Sequence, residues 1–335
     1  MARQRTEGAR SIAEGITAAS HRATVTHELA GSRLDAAAAR LFPDYSRSRL
    51  QAWIEQGRLR VNETVVTRTR QPVAADDELV LAAEADVSAS DVLAQDIALE
   101  IVHADADIAI INKPAGLTVH PGAGMPAGTL QNALLHRFPQ TAAVPRAGIV
   151  HRLDKDTSGL LVVALSLPAH TKLVAALARR EFHREYDALV AGVLSGGGRV
   201  EAPIGRHPGD RRKMAIAESG RPAVSHYRVV ERFRFHTHVR VRLETGRTHQ
   251  IRVHMAHIKH PIVGDPVYAP KTVRGRGLDP ELRASLVAFP RQALHASKLA
   301  LDHPVSGEPL QWSADPPADM QQLIAALRVD ARRQP

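Results

Sequence analysis

The sequence contains no cysteine in 335 residues. This absence excludes disulfide bonds, zinc sites built on thiolates and cysteine nucleophiles. It also excludes two reactions on nucleic-acid bases: uridine C5 methylation through a cysteine and deamination through a cysteine-ligated zinc ion. The chemistry of any active site must therefore come from other side chains.

The sequence also lacks long apolar segments. No run of eighteen apolar residues is present, which excludes a transmembrane helix. The first residues lack the hydrophobic segment of a secretory signal peptide. We therefore expect a soluble, cytoplasmic protein that makes no contact with a membrane.

Acidic residues are too few to balance the basic ones. Lys and Arg number 44 against 35 Asp and Glu, which gives a formal net charge of +9 at pH 7. Such an excess favours a polyanionic partner, such as a nucleic acid, over a neutral surface or an acidic small molecule.

The N-terminal quarter of the chain divides into an arm and a small basic domain. Residues 1–24 show no sustained periodicity, so we predict a disordered basic arm. In residues 25–83, apolar residues at helical spacing predict two helices, and Gly57 is placed to end the second one. Short strands are predicted on either side of Asn62-Glu63. The alternative interpretation is a small helical domain whose arginines are simply solvated.

A linker and a larger domain follow. Residues 84–96 are small, polar and acidic, as expected for a linker, and we place the larger domain at 97–329 and a tail at 330–335. Helices are predicted at 130–138 and 169–179. Strands are predicted at 99–102, 108–111, 149–150, 160–165, 186–193, 225–230 and 238–243. Because regular β-α-β alternation is absent, we predict the α+β class, with a mixed, largely antiparallel sheet and flanking helices and loops.

A charged loop between two apolar segments is the first candidate site. The segment GIVHRLDKDTSGLLVVA, residues 148–164, places Arg152 and Asp154 between two predicted strands. Catalytic groups often lie on loops held by a rigid scaffold, and a carboxylate there can act as a nucleophile, a base or the partner of a cation. The alternative is a salt-bridged turn capped by residues 156–158, which leaves Arg152 and Asp154 unexplained.

The second candidate site is LETGRTHQIRVHMAHIKHPIVGDPVY, residues 243–268. If residues 250–254 are extended, Gln250, Arg252 and His254 share one face, and Arg252 is a cation fixed on a core element. A buried carboxylate needs such a partner to stay ionised at neutral pH. A pair between Asp154 and Arg252 would therefore explain both clusters.

Neither a metal site nor a nucleotide-cofactor site is predicted. His254, His257 and His260 recur at a spacing of three, but no carboxylate completes a helical metal motif and Pro261 ends any helix there. The glycine-rich segment 120–129 lacks the residues of a phosphate-binding loop and the glycine spacing of a dinucleotide site.

Four segments together resemble the RluA/RluD family of RNA pseudouridine synthases. They are INKPAGLTVHP, HRLDKDTSGLLVVA, REYDALVAG and TGRTHQIRVHMAHIKHPIVGDPVYA, and the similarity extends from about residue 99 to residue 312. The resemblance implies the pseudouridine synthase fold for the larger domain. The small domain before it indicates the RluD branch of the family.

The resemblance also implies roles for individual residues. Asp154 matches the family's nucleophile, Tyr186 the tyrosine that stacks on the target base, and Arg252 the arginine that pairs with the catalytic carboxylate. Arg152 matches a residue that fills the space left by the extruded uridine. The predicted RNA-binding residues of this domain are Arg152, Arg247, His249 and Gln250.

The small basic domain resembles the S4 RNA-binding domain. The matching residues are Arg33-Leu34-Asp35, Ser46-Arg47-Ser48, Ile54, Gly57 and Val61-Asn62. This resemblance implies that the domain contacts RNA through Arg33, Arg47 and Arg58.

Together the two resemblances imply an enzyme that converts uridine to pseudouridine in RNA. The implied substrate is large-subunit (23S) ribosomal RNA, free or in an assembling subunit, with transfer RNA or another structured RNA as the alternative. No atoms or electrons enter or leave in this reaction, so it requires no cofactor or metal. We expect a monomer, because no sustained amphipathic seam is visible, and we predict that the basic stretch 271–292 is a loop that shapes the choice of RNA.

Two rival functions remain open on the sequence alone. A non-catalytic ribosome-assembly factor that binds RNA would keep the arginines without needing Asp154, Tyr186 and Arg252 together. A nucleoside or glycoside hydrolase would use Asp154 with a second acid, although no separated acid pair stands out.

Overall fold

The chain forms two compact units, divided between residues 88 and 89. The structure is a computed structural model and describes residues 19–42, 45, 47–83, 92–122, 125–210, 213–270 and 277–332. In these ranges no helix is both long enough and apolar enough to cross a membrane. Most of the predicted linker, residues 84–91, lies outside the described residues.

The N-terminal unit packs two helices against a small antiparallel sheet. Its elements are β1 (Ala19–Thr24), α1 (Leu34–Leu41), α2 (Arg47–Glu55), β2 (Leu59–Val61), β3 (Thr64–Val65) and β4 (Glu78–Ala83). The sheet order is β1-β4-β2-β3. As predicted, Gly57 has a positive φ of 73° after α2, and Asn62 and Glu63 form the turn between β2 and β3.

The predicted disordered arm is too long at its C-terminal end. Residues 19–24 form β1, which pairs with all six residues of β4. The segment has no clear sequence periodicity because only Ala23 and Val25 near its end pack against the apolar core. Residues 1–18 of the predicted arm lie outside the described residues.

The C-terminal unit is built on a long mixed sheet. Its strands are β5 (Glu100–Ala104), β6 (Ile108–Lys113), β7 (Ser158–Ala164), β8 (His183–Ala191), β9 (Gly198–Glu201), β10 (Ile204–Arg206), β11 (Met214–Ile216), β12 (Val224–Arg232), β13 (His236–Leu243), β14 (Leu294–Asp302) and β15 (Pro309–Ser313). Its helices are α3 (Leu130–Arg137), α4 (Leu167–Ala178), α5 (Gln250–His257), α6 (Pro280–Ala288) and α7 (Ala318–Arg332).

The strand order is β5-β6-β7-β14-β8-β13-β12-β9, with β15 paired to β14 and with β10 and β11 forming a separate hairpin. The pairings between these strands are antiparallel except for β7 with β14. This arrangement confirms the predicted α+β class with a mixed, largely antiparallel sheet.

The core lies on both faces of the sheet. One apolar cluster joins β8 and β13 to α5, α6 and α7, and another joins β6, β7 and β14 to α4. All seven residues of β7 are buried, as expected for a central strand covered on both sides. The loop before β7, the start of β8 and the helix after β13 thus stand on rigid supports, and the candidate site is built there.

Four local predictions are wrong. Residues 149–150 make only an isolated bridge to β7, because the preceding turn places Arg146, Ala147 and Gly148 at positive φ and turns the chain away. Residues 250–254 are helical, since α5 is buried on nearly all sides and its sequence therefore shows no helical stripe. The stretch 271–292 contains α6, which Asp279 caps, and residues 271–276 lie outside the described residues. The predicted tail begins inside α7, where buried Asp330 accepts a hydrogen bond from Arg234.

Candidate active site

Asp154 lies on the loop between residues 150 and 158, just before the buried strand β7. Its side chain is 20% exposed, and its Oδ2 atom accepts a hydrogen bond from Arg252 Nη1 at 3.1 Å. Among the described residues, no group donates a hydrogen bond to Oδ1. One carboxylate oxygen is therefore held by a cation while the other is available to a bound molecule.

The conformation of this loop is maintained from below by Lys113, at the end of β6. Lys113 is fully buried, and its ammonium donates to the carbonyl oxygens of Pro114, Leu117 and Lys155 at 2.7, 3.0 and 2.9 Å. Burial lowers the pKa of Lys113 to about 8, although the charges of nearby aspartates oppose this shift. The INKPAG segment therefore ties the end of β6 to the Asp154 loop.

The other end of the loop is attached to the residues that lead into β14. Gln292 Nε2 donates to Thr157 Oγ1 at 3.0 Å, and the hydroxyl of Ser158 lies 2.9 Å from Nδ1 of His295. Gly159 is required at the next position, because a Cβ atom there would lie 2.3 Å from the carbonyl oxygen of Ala296. This close approach is the parallel contact between β7 and β14.

Arg252 lies on α5 and holds two carboxylates at once. It donates from Nε and Nη2 to the two oxygens of Asp265 at 2.7 and 2.9 Å, while Nη1 serves Asp154. Asp265 is fully buried and also accepts the backbone N–H groups of Val267 and Tyr268. Burial disfavours the charge of Arg252, but Asp265 and then Asp154 raise its pKa above the usual arginine value. Arg252 is thus a permanently charged and fixed partner for Asp154.

His249 and Tyr268 form one wall of the site. His249 Nε2 lies 4.0 Å from Asp154 Oδ1, and its Nδ1 atom lies 2.8 Å from the hydroxyl of Tyr268. His249 has a positive φ of 56° immediately before α5, a conformation that non-glycine residues adopt at a cost. Burial lowers the pKa of His249, so a neutral imidazole faces Asp154. The Tyr268 ring packs against Arg252, with the guanidinium carbon 5.1 Å from its centre.

Tyr186 reaches the same site from β8. It is 6% exposed, and burial raises the pKa of its hydroxyl, with the charge of Asp154 adding to the shift and that of Arg184 opposing it. Tyr186 is therefore a neutral aromatic surface beside the carboxylate.

These residues line a cleft of about 770 Å³. Its lining contains two carboxylates, Asp154 and Glu244, and seven arginines. The arginines are Arg146, Arg152, Arg180, Arg184, Arg221, Arg247 and Arg252. A concave site with this excess of cations fits a polyanion whose reacting part is neutral.

The structure brings most of the predicted residues of the C-terminal unit together in this cleft. Asp154, Tyr186 and Arg252 meet there, and Arg152, Arg247 and His249 line its walls. Arg152 is exposed, and Arg247 is half-buried with its Nε donating to the carbonyl of Pro222 at 3.1 Å.

Gln250 also lines the cleft, but it is buried and its amide is bonded within the protein. Its amide oxygen accepts hydrogen bonds from the Thr245 hydroxyl and the Arg247 N–H, and its amide nitrogen donates to the carbonyl of Val224 and to the Ser225 hydroxyl. Because these four bonds use the full capacity of the amide, Gln250 shapes the turn before α5 and has no donor or acceptor left for RNA.

The histidines that follow Arg252 are used by the protein itself. Both ring nitrogens of His254 have partners, the Ser225 hydroxyl at 2.9 Å and the Ala202 carbonyl at 3.1 Å. His260 Nδ1 lies 2.9 Å from the carbonyl of Ala191. Within the described ranges, no group of three His, Asp or Glu side chains is arranged to hold a metal ion.

In the N-terminal unit, Arg33 and Arg47 converge on Asp35. Asp35 is fully buried, while the two arginine side chains are 43% and 52% exposed. Arg33 donates two hydrogen bonds to Asp35, Arg47 donates two, and Gln51 donates one. Arg58 is half-buried before β2, and its Nε donates to Gln56 at 3.1 Å. The buried carboxylate thus fixes two guanidinium groups at the surface of this unit.

Sequence reasoning missed several residues of the site. Asp265 lies in the quoted GDPVY segment, but nothing in that segment shows that it reaches Arg252, thirteen residues earlier. Lys113 lies in INKPAGL, where a buried lysine cannot be distinguished from an exposed one by residue type. Gln292 and His295 lie in or beside a stretch interpreted as a loop. Arg184 lies in REYDALVAG, where its residue type does not show that it lines the cleft.

Models of two known families match the chain. The RNA pseudouridylate synthase model matches residues 107–257, and the S4 domain model matches residues 32–79. These matches cover the Asp154 loop, the start of α5 and most of the N-terminal unit.

Curated proteins match over nearly the whole chain. The chain is 53% identical to the Escherichia coli (strain K12) protein named ribosomal large subunit pseudouridine synthase D, over 92% of this chain and 94% of that protein. It is 56% identical to the Pseudomonas aeruginosa protein of the same name, over 92% of this chain and 96% of that protein.

Two solved structures are similar to about two thirds of the chain. Human RNA pseudouridylate synthase domain containing 1 has a TM-score of 0.52 and 28% identity, covering 69% of this chain and 95% of its own. Human RNA pseudouridylate synthase domain containing 4 has a TM-score of 0.54 and 25% identity, covering 68% and 92%.

Proposed function

Because this chain belongs to the RNA pseudouridylate synthase family, in the branch that carries an S4 domain, it is an RNA-modifying isomerase, and we propose that it acts on large-subunit (23S) ribosomal RNA with Asp154 as its nucleophile. The observation that carries the proposal is a carboxylate with one oxygen bonded to a buried arginine and the other without a donor among the described residues, in a cleft rich in further arginines. The names of the similar bacterial proteins support the choice of RNA.

The reaction is an isomerisation, so atoms and electrons balance within the substrate. The N1–C1′ glycosidic bond of uridine breaks, the uracil turns, and a C5–C1′ bond forms. The C5 hydrogen leaves as a proton, and N1 gains one. Three roles suit Asp154: attack on C1′, addition to C6 of the ring, or assistance in forming a glycal. Each of them uses the carboxylate that Arg252 holds in the cleft.

The uridine must leave its base stack to reach Asp154. Extrusion costs a few kcal/mol, which phosphate contacts to the arginines of the cleft offset. Tyr186 offers an aromatic face to the extruded base, and its raised pKa keeps the ring neutral at physiological pH. A cleft of about 770 Å³ lies within the range of sites that enclose a ligand of nucleotide size.

The N-terminal unit supplies a second, sequence-independent contact with RNA in this proposal. Arg33 and Arg47 are exposed and fixed by Asp35, so they present their charges with little loss of conformational entropy on binding. Arg58 completes the proposed RNA-binding surface. We assign the active protein to the cytoplasm, where ribosomal RNA is modified in bacteria, and to a monomeric state, which sedimentation with and without RNA would test.

The test is to map pseudouridine in large-subunit RNA by mass spectrometry after cyanoethylation. Wild-type protein is expected to create new sites, and the Asp154→Asn variant none. Asp156→Asn is the matched control, since it removes the same charge from the same loop but does not line the cleft. Equal modification by wild type and Asp154→Asn would overturn the assignment of the nucleophile. Tight RNA binding with no modification by wild type would favour an assembly factor, and released ribose a hydrolase.

A further inference from the structure

Arg184 is a buried cation without a counter-charge. It lies on β8, two residues before Tyr186, and is 8% exposed. Its Nε atom is buried without a hydrogen-bond partner, and no described carboxylate forms an ion pair with its guanidinium. Removing a charge from water without such compensation is costly, so a structural role alone does not explain an arginine here.

The acids of the cleft are already engaged elsewhere. Asp154 is held by Arg252, and Glu244 lies 2.5 Å from His226 Nε2 and 3.9 Å from Arg180. The anion that would balance Arg184 is therefore absent from the described lining of the cleft. It must come from a bound molecule.

Arg184 is accessible from the cleft through Gly246. Gly246 is exposed and has no side chain, and a Cβ atom there would lie only 2.9 Å from Arg184 Nη1. Arg184 lines the cleft together with His151, Tyr186 and Gly246. Burial lowers the pKa of His151, and the charge of Arg184 adds to that shift. The guanidinium thus faces the space next to the proposed position of the base.

We propose that Arg184 binds the RNA backbone phosphate that flanks the extruded uridine. This role rests on the proposed function of the cleft. Alternate residues of a strand project to one face and lie roughly 7 Å apart. One nucleotide spans a similar distance between its base and its own phosphate, so a base on Tyr186 brings a flanking phosphate to Arg184. A guanidinium matches the geometry of phosphate oxygens and stays charged when buried.

The first test combines a protein variant with a modified RNA. The RNA is a short fragment that contains a uridine mapped as a product site, with an uncharged methylphosphonate at its 5′ or its 3′ phosphate. For wild type, we expect one of the two replacements to slow single-turnover isomerisation on the order of 10²-fold. On normal RNA, Arg184→Gln should isomerise uridine about as slowly as wild type does on that modified RNA. The methylphosphonate should cause no further decrease in the rate of this variant.

The second test examines the fold and the access route. Arg184→Gln should melt at the same temperature as wild type or higher without RNA, because it removes an uncompensated buried charge. Gly246→Ala should reproduce part of the loss in rate by displacing the guanidinium. Arg179→Gln is the matched control, since Arg179 is exposed, pairs with Glu181 and does not line the cleft. It should isomerise both RNAs at the wild-type rate.

The proposal would be overturned if the methylphosphonate, at the 5′ and at the 3′ position, slows isomerisation by Arg184→Gln by the same factor as it slows isomerisation by wild type. A destabilised Arg184→Gln variant whose rate on normal RNA is unchanged once it is folded would overturn it too. If wild type converts no RNA at all, the proposed function itself fails, whatever the phosphate does.

Discussion

Both units of the chain hold an aspartate among arginines, but they expose opposite members of the pair. In the N-terminal unit Asp35 is fully buried while Arg33 and Arg47 are about half exposed. In the C-terminal unit Arg252 is 5% exposed while Asp154 is 20% exposed. The buried member acts as an anchor that fixes the conformation of its partner.

The difference shows how one type of ion pair serves two purposes. A buried carboxylate orients guanidinium groups toward solvent, which suits the capture of phosphates. A buried guanidinium holds a carboxylate in a fixed position facing a cleft, which suits chemistry on a neutral base or sugar. Asp265 makes the second arrangement possible, because it compensates part of the Arg252 charge and leaves Asp154 with a single bond.

The largest expected effect comes from removing the buried cation. Arg252→Gln should slow isomerisation by about 10³-fold, the scale of losing a charged group aligned with an active site. It should leave RNA affinity nearly unchanged. Single-turnover rates measured with saturating enzyme separate these two quantities.

The control for this variant is a double substitution. Arg252→Gln alone leaves Asp265 buried without its cation, so we expect the single variant to lose stability as well as activity. Arg252→Gln with Asp265→Asn replaces the ion pair by a neutral amide pair of similar shape. A double variant that melts near wild type yet stays inactive supports the electrostatic role, whereas recovered activity contradicts it.

The next effect concerns pH and Lys113. Since burial lowers its pKa to about 8, Lys113 loses its proton above that pH and keeps two N–H donors for three carbonyl oxygens. We expect the rate of isomerisation to fall about tenfold as pH rises through 8, the cost of one lost hydrogen bond to a charged donor. Lys113→Arg, which stays charged, should remove this step from the pH profile.

Unfolding would not explain this fall in the rate of isomerisation above pH 8. Between about pH 8 and the unfolded lysine pKa of 10.5, the unfolded chain binds more protons at this position than the folded chain does. The contribution of Lys113 to the free energy of unfolding therefore rises with pH in this window. A melting temperature that drops together with the rate at pH 8 would contradict the explanation that Lys113 acts by losing a hydrogen bond to the Asp154 loop.

A smaller effect tests the opposite arrangement in the N-terminal unit. Asp35→Asn adds one unit of positive net charge, which by itself favours RNA binding. Because Arg33 and Arg47 lose their anchor, we expect RNA affinity to fall about threefold instead. The rate at which bound RNA is isomerised should stay unchanged. Filter binding would measure the RNA affinity. Asp76→Asn is the control for the change in charge, because Asp76 is exposed. Tighter binding by Asp35→Asn would show that the anchor is not needed.

The smallest effect is on the dependence of binding on salt. Arg47→Gln should reduce the slope of log affinity against log salt by about one, as expected for one lost phosphate contact. Arg252→Gln should leave the slope unchanged, since two aspartates already neutralise that cation. Equal changes for both variants would remove the distinction between the two arrangements.

The sequence allowed much of this comparison to be anticipated. The long motifs around Asp154, Tyr186 and Arg252 predicted the family, and the turn residues Gly57 and Asn62 predicted the layout of the N-terminal unit. The strands β6, β7, β12 and β13 were predicted because their apolar clusters are short and bounded by turns. Strand β14 and helix α7 were not predicted, although β14 provides the only parallel partner of β7 among the described pairings.

Residues whose role depends on distant partners escaped prediction. Gln250 has the residue type of an RNA contact, yet four protein groups use its amide. Lys113 has the type of a surface residue, yet it is fully buried beneath the catalytic loop. The alternation of residues 250–254 predicted a strand, but a helix buried on nearly all sides carries no polar face to reveal its period.

The sequence by itself determined the chemical inventory: no thiol, an excess of arginine, and an aspartate, a tyrosine and an arginine in long diagnostic motifs. It determined local turns too, because a positive φ at Gly57 depends on one residue. Tertiary contacts alone set which member of each ion pair is buried, which arginine has no carboxylate partner among the described residues, and which amide is already used. Burial and pairing are set by contacts between segments far apart in the chain, 98 residues for Arg252 and Asp154 and 137 residues for Ser158 and His295, and no local pattern records them.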